Sequence, residues 1–86
     1  MRYATKICQD GYVYDLETST KICELTGIAV AMGRRLYRTA KGKFFVLCSF
    51  TDEDRIESCS EIKALNLAEK VLSVDELRKF FDLKEV

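Results

Sequence analysis

The chain has no histidine, no tryptophan and no proline, and only four glycines among its 86 residues. Each absence excludes something. Without histidine it lacks both the commonest general base near neutral pH and the commonest zinc ligand, which removes most hydrolase triads and most zinc enzymes. The glycines at 11, 27, 33 and 42 are too dispersed for the glycine-rich turn whose bare amides cradle a phosphate. No apolar run approaches the roughly 18 residues needed to cross a bilayer. Residues 28–32 make a run of only five. No secretory stretch precedes Ile7, so the expectation is a cytoplasmic, reducing compartment and no membrane partner. Four cysteines, at 8, 23, 48 and 59, contain no CxxC pair. That spacing argues against a metal, so neither metal nor cofactor is expected, and Cys8, Cys23 and Cys48 read as small hydrophobes in strand-like surroundings.

Apolar residues make up 48% of the chain and charged residues 33%, which is material for one core and too little net charge for disorder. The length allows a single domain, 1–86. Fourteen basic groups balance fourteen acidic ones, yet the balance is local: residues 1–50 carry an excess of four positive charges and residues 51–86 an excess of four negative ones. A contact surface for an anionic partner needs such an asymmetry. A basic sheet beside an acidic helical segment produces it equally.

Turn chemistry organises the first fifty residues. Asp10-Gly11 suits a two-residue type I′ hairpin, because glycine takes positive φ without a Cβ clash. That loop pairs Gln9 with Tyr12, Cys8 with Val13, Ile7 with Tyr14, and Lys6 with Asp15 as opposite charges. A third strand is expected over residues 20–25; five apolar residues at 28–32 cannot establish a period. If Lys41-Gly42 is a second two-residue loop, Thr39 faces Phe44, Arg38 faces Phe45, Tyr37 faces Val46, Leu36 faces Leu47, Arg35 faces Cys48 and Arg34 faces Ser49. Alternation then sends Phe44, Val46, Cys48, Phe50 and Tyr37 to the core and leaves Arg34, Leu36 and Arg38 beside Phe45, Leu47 and Ser49 on the other side.

Beyond Phe50 the pattern becomes helical. Thr51-Asp52-Glu53-Asp54 predicts a cap opening a short helix to about Cys59, with residues 62–65 extended or closing that helix. Asn66 with Glu69 and Ser73 with Glu76 predict two more caps. From the latter, Val74, Leu77, Phe80 and Phe81 form a stripe expected to dock on Phe44, Val46 and Phe50. The fold class expected is α+β: an antiparallel sheet of four to five strands built from N-terminal hairpins and packed by one or two C-terminal helices.

Three stretches stand out, the run from Gly11 to Thr20 (GYVYDLETST), the run from Leu36 to Phe45 (LYRTAKGKFF) and the closing Ser73-Val74-Asp75-Glu76-Leu77, 25 of the 86 residues. In these runs the chain resembles a group of small uncharacterised bacterial and phage proteins, which pair a YDxET strand-turn with an LYRTxxGxxF hairpin and end in an acidic-capped helix. Residues 51–60 have no counterpart in that group. The resemblance implies an architecture and a mobile-element association rather than catalytic residues. In its sharpest form it implies a phage-type inhibitor of a host defence complex such as a CRISPR effector.

The residues themselves offer little chemistry. Adjacent Asp52, Glu53 and Asp54 are better explained by the positive end of a helix than as an acid–base pair. A cysteine nucleophile has no histidine to activate it, only Arg35 opposite Cys48. No enzymatic role is expected. The basic hairpin is the candidate contact surface, through Arg34, Leu36, Arg38, Lys41, Lys43 and Phe45 with Tyr37 beside them. Three readings stand. Arginine stems lie over Phe45 and Leu47 as plain surface; or arginine and aromatic groups dock a larger protein or ribonucleoprotein; or the same groups meet nucleic acid directly, phosphate to guanidinium and base to ring.

Overall fold

The computed structural model describes residues 6–25, 33–49 and 54–86. The first hairpin is β1 (Lys6–Gln9) and β2 (Tyr12–Asp15), in the register set by a two-residue loop: Lys6 faces Asp15 and Gln9 faces Tyr12. Asp10 and Gly11 sit at φ 54° and 82°, the left-handed pair of a type I′ turn.

A four-stranded antiparallel sheet follows, ordered β3 (Thr20–Leu25), β4 (Gly33–Arg38), β5 (Phe44–Ser49), β6 (Asp54–Cys59). In β3 the register shifts between Lys21 and Cys23, so Ile22 is an extra residue opposite Leu36. Such a bulge turns neighbouring side chains to the same side, and Ile22, Cys23 and Leu25 all enter one core cluster.

The β4–β5 connection corrects the register expected for it. Thr39 N–H donates to the Lys43 carbonyl (2.7 Å) and Gly42 N–H to the Thr39 carbonyl (2.9 Å), with Gly42 at φ 85°. The loop therefore holds three residues, a turn followed by a left-handed glycine bulge. One extra loop residue slides the pairing by one: Arg38 faces Phe44, Tyr37 faces Phe45, Leu36 faces Val46, Arg35 faces Leu47 and Arg34 faces Cys48. Every β4 side chain thus changes its company. Leu36 joins Phe44, Val46 and Cys48, while Tyr37 joins Phe45 and Leu47.

Two clusters sandwich the sheet. On one face α1 (Glu61–Glu69) and α2 (Val74–Leu77) contribute Ala64, Ala68 and Leu77 to the cluster of Leu36, Phe44 and Val46, and the Phe81 ring stacks on Phe44 at 5.2 Å. On the other face the β1–β2 hairpin lays Ile7, Tyr14 and the following Leu16 over Phe45, Leu47 and Ile56. Strand β5 is thus buried on both sides from Phe44 to Cys48. This explains its unbroken apolar run, which a strand with one wet face would not show. The class is α+β, an antiparallel sheet packed by C-terminal helices, with a second, two-stranded sheet on the opposite face.

Residues 54–59 are strand, not the expected helix. Pairing along the whole of β5, from Phe44–Cys59 to Ser49–Asp54, overrides the local capping signal. Asn66 lies inside α1 rather than capping a helix; the cap is Ser60, whose Oγ accepts from Lys63 N–H at 3.2 Å. The Ser73–Glu76 capping box forms as expected. Of the predicted stripe, Leu77, Phe80 and Phe81 pack on the core, whereas Val74 is 57% exposed. Residues 28–32, Phe50 and residues 51–53 lie outside the described residues.

Candidate functional site

The corrected register divides the six residues expected to form one surface. Leu36 and Phe45 are fully buried, at 0% exposure, and on opposite faces of the sheet. Neither can meet a partner. Phe45 is held between two rings: Tyr37 stacks on it at 5.2 Å and Tyr14 meets it edge-on at 5.1 Å. Arg34 is half-buried on the helix side, its guanidinium 3.9 Å from the Glu57 carboxylate across β5. It also lines a cavity of about 170 Å³ with Leu25, Leu67 and Val71. Arg34, not Arg35, stands opposite Cys48; the Arg35 guanidinium turns to Ser49 Oγ at 3.4 Å.

The other three stay at the turn. Arg38 is exposed, and its guanidinium reaches over Gly42, where an added Cβ would lie 3.9 Å from Nη2. Lys41 and Lys43 are exposed and have no ion-pair partner among the described residues. Both line a groove of about 630 Å³ at this end of the sheet. Its far wall is β2, Tyr12 through Asp15, and its floor includes Phe44, Ser58 and Cys59.

Local chemistry fixes the walls. On the turn side, Thr39 Oγ1 accepts from Lys43 N–H at 3.0 Å. On the β2 side, Asp15 Oδ1 accepts from Glu17 N–H at 3.0 Å, and the Asp15 carbonyl accepts from Ser19 N–H (3.1 Å) and Ser19 Oγ (2.6 Å). These bonds commit Asp15, Thr39 and Ser19 to holding the chain. They leave the two ammonium groups and the apolar rim for a ligand. That rim is Tyr12, exposed by 68%; Val13, exposed by 66%, turns its side chain with Cys8 to the outer face of the hairpin and meets the groove along its backbone.

Sequence reasoning missed Tyr12 and Val13. The signal was the position next to a type I′ turn, but it does not reveal which face of the hairpin the larger sheet covers. The one thiol in the groove is a poor nucleophile. Burial pushes Cys59 up, Lys63 opposes this and Glu57 adds to it. Burial likewise raises Cys23 in the core. All four cysteines are free. Among the described residues no three metal-ligating side chains stand together, and no helix is long and apolar enough to cross a membrane.

In comparisons with protein-family models, with curated proteins and with solved structures, nothing matches the chain.

Proposed function

We propose that the chain is a small non-enzymatic interaction module. It captures a larger protein or ribonucleoprotein at the turn end of its sheet, through the groove between β2 and the β4–β5 turn. One observation carries the reading: the aromatic Tyr12 side chain stands bare on one wall while, among the described residues, Lys41 and Lys43 stand without counter-charges on the other. Apolar groups beside cations match an interface whose aromatic anchors supply contact area and whose charges set orientation. The basic hairpin keeps its part through Arg38, Lys41 and Lys43, while Arg34, Leu36 and Phe45 serve the fold. The resemblance to phage proteins supports a host complex as the partner, with the chain acting as its stoichiometric inhibitor.

The test is to place a photo-cross-linking phenylalanine analogue at Tyr12, expose the protein to host lysate and identify adducts by mass spectrometry. A Lys41→Glu/Lys43→Glu double variant should lose the adduct and keep its melting temperature, because both side chains are exposed and have no ion-pair partner among the described residues. An adduct pattern indifferent to charge reversal sinks the groove as the contact. Tight binding of bare nucleic acid, with an affinity that falls with log salt at a slope of about five or more, demotes the protein partner in favour of phosphate contacts.

A further inference from the structure

We propose that the groove takes an extended acidic segment of the partner protein as a third strand on the free edge of β2. This deepens the docking reading above and rests on it. In a hairpin closed by a two-residue loop, the residues flanking the loop exchange both of their hydrogen bonds and the next pair exchanges none. Gln9 and Tyr12 flank the loop, so Cys8 and Val13 form the unbonded pair. The Val13 N–H and C=O consequently point away from β1. Asp15, two residues on, directs its carbonyl the same way, and there it meets the Ser19 N–H and hydroxyl. That contact fixes the parity independently. Nothing among the described residues pairs with the outward N–H and C=O of Val13.

The contrast with β6 sharpens the point. Ile56 presents the same outward pair on its own sheet edge, and the Gln9 carboxamide satisfies both groups. Among the described residues one edge is closed by a side chain and the other is bare. Edge strands are ordinarily blunted by lysine, proline or a bulge. Residues 12–14 are Tyr-Val-Tyr, three strand formers with none of these devices. The bare edge lines the groove, opposite Lys41 and Lys43. An added strand would gain main-chain bonds at Val13, and its alternate side chains would be sorted by the two ammonium groups, which favour Asp or Glu.

The test begins with a random heptapeptide library displayed against the full chain and counter-selected on the Lys41→Glu/Lys43→Glu variant. Enriched peptides should carry acidic residues at alternating positions. With the best of them in excess, hydrogen exchange at the Val13 amide should slow, and N-methylation of the peptide's central residue should weaken binding about tenfold. A Val13→Pro variant should match that loss, since proline is tolerated where an edge N–H faces outward. If that variant fails to fold, the N-methylated peptide on the native chain still decides the matter. Peptides that need both lysines yet leave Val13 exchange unchanged overturn strand addition and spare the docking reading. Absence of enrichment overturns both. Concentration-dependent dimers that protect Val13 and exclude the peptides overturn it in favour of a second copy.

Discussion

Replacing Gln9 with leucine tests how the two sheets are joined. The Gln9 carboxamide accepts from Ile56 N–H at 2.9 Å and donates to the Ile56 carbonyl at 2.5 Å, standing in for a neighbouring strand on the outer edge of β6. Leucine keeps most of the side-chain volume and removes both bonds. Two net hydrogen bonds at about 1 kcal/mol each set an upper figure of about 2 kcal/mol, and rehydration of the freed edge lowers it to about 1. For a domain of this size that is about 4–16 °C of melting temperature, against a total stability of roughly 4–13 kcal/mol. Two assays read it: thermal unfolding by circular dichroism, and hydrogen exchange at the Ile56 amide, which should quicken in the variant more than the amides facing β5. A Gln9→Glu substitution divides the pair. It keeps the acceptor for Ile56 N–H but sets a carboxylate oxygen against the Ile56 carbonyl. It should therefore be destabilising at neutral pH and recover as acid protonates the introduced carboxyl into a donor. A Gln9→Leu protein with an unchanged melting point and unchanged Ile56 exchange would refute the clamp.

Two other outcomes follow from the core and the last helix. Leu36→Ala and Phe45→Ala should each cost about 2–5 kcal/mol in urea unfolding, because both side chains are wholly buried on opposite faces of one sheet. Losses within about 0.5 kcal/mol, the range of exposed sites, would return both residues to the surface. The Glu76 carboxylate accepts from Ser73 N–H (3.0 Å) and Ser73 Oγ (3.1 Å), and these bonds, the backbone one foremost, hold it below the ordinary value of 4.5. A carboxyl depressed on folding gives stability that is complete above its unfolded value and is lost as pH falls through the folded one. Melting curves recorded down from neutral pH should therefore begin to approach each other for native chain and Glu76→Gln variant below about pH 4.5 and meet only under the depressed folded value; curves that stay parallel would deny the box its role.

What could be read in advance depended on how much of the answer was local. Asp10-Gly11 supplies both residues that accept positive φ, and its hairpin register is the one expected. Lys41-Gly42 misled because only glycine there suits positive φ. A two-residue loop would ask lysine to take it as well, whereas Ala40-Lys41-Gly42 puts the left-handed position on glycine alone. That preference was present in the sequence. The strand at Asp54–Cys59 was not. Its acidic start imitates a helix cap, and only the open side of β5 makes it a strand. The Ser73 box was legible because its bonds span three residues.

The groove was illegible because nothing about it is local. It is assembled from the edge of one sheet, the turn of another and the end of a strand that local signals had assigned to a helix. A register error of one residue was enough to move part of the expected surface, since the observed pairing turns Leu36 to the helix face; Phe45 keeps its expected face and is buried there by the β1–β2 hairpin. The cations at the turn survived the correction because turn residues keep their exposure under a register slip and strand residues do not. The exposed neighbours of a turn are therefore a sounder place to seek a contact surface than an alternating face. Here those neighbours are Lys41 and Lys43 on one hairpin and, on the other, the Tyr12 side chain and the Val13 backbone, which line a single groove.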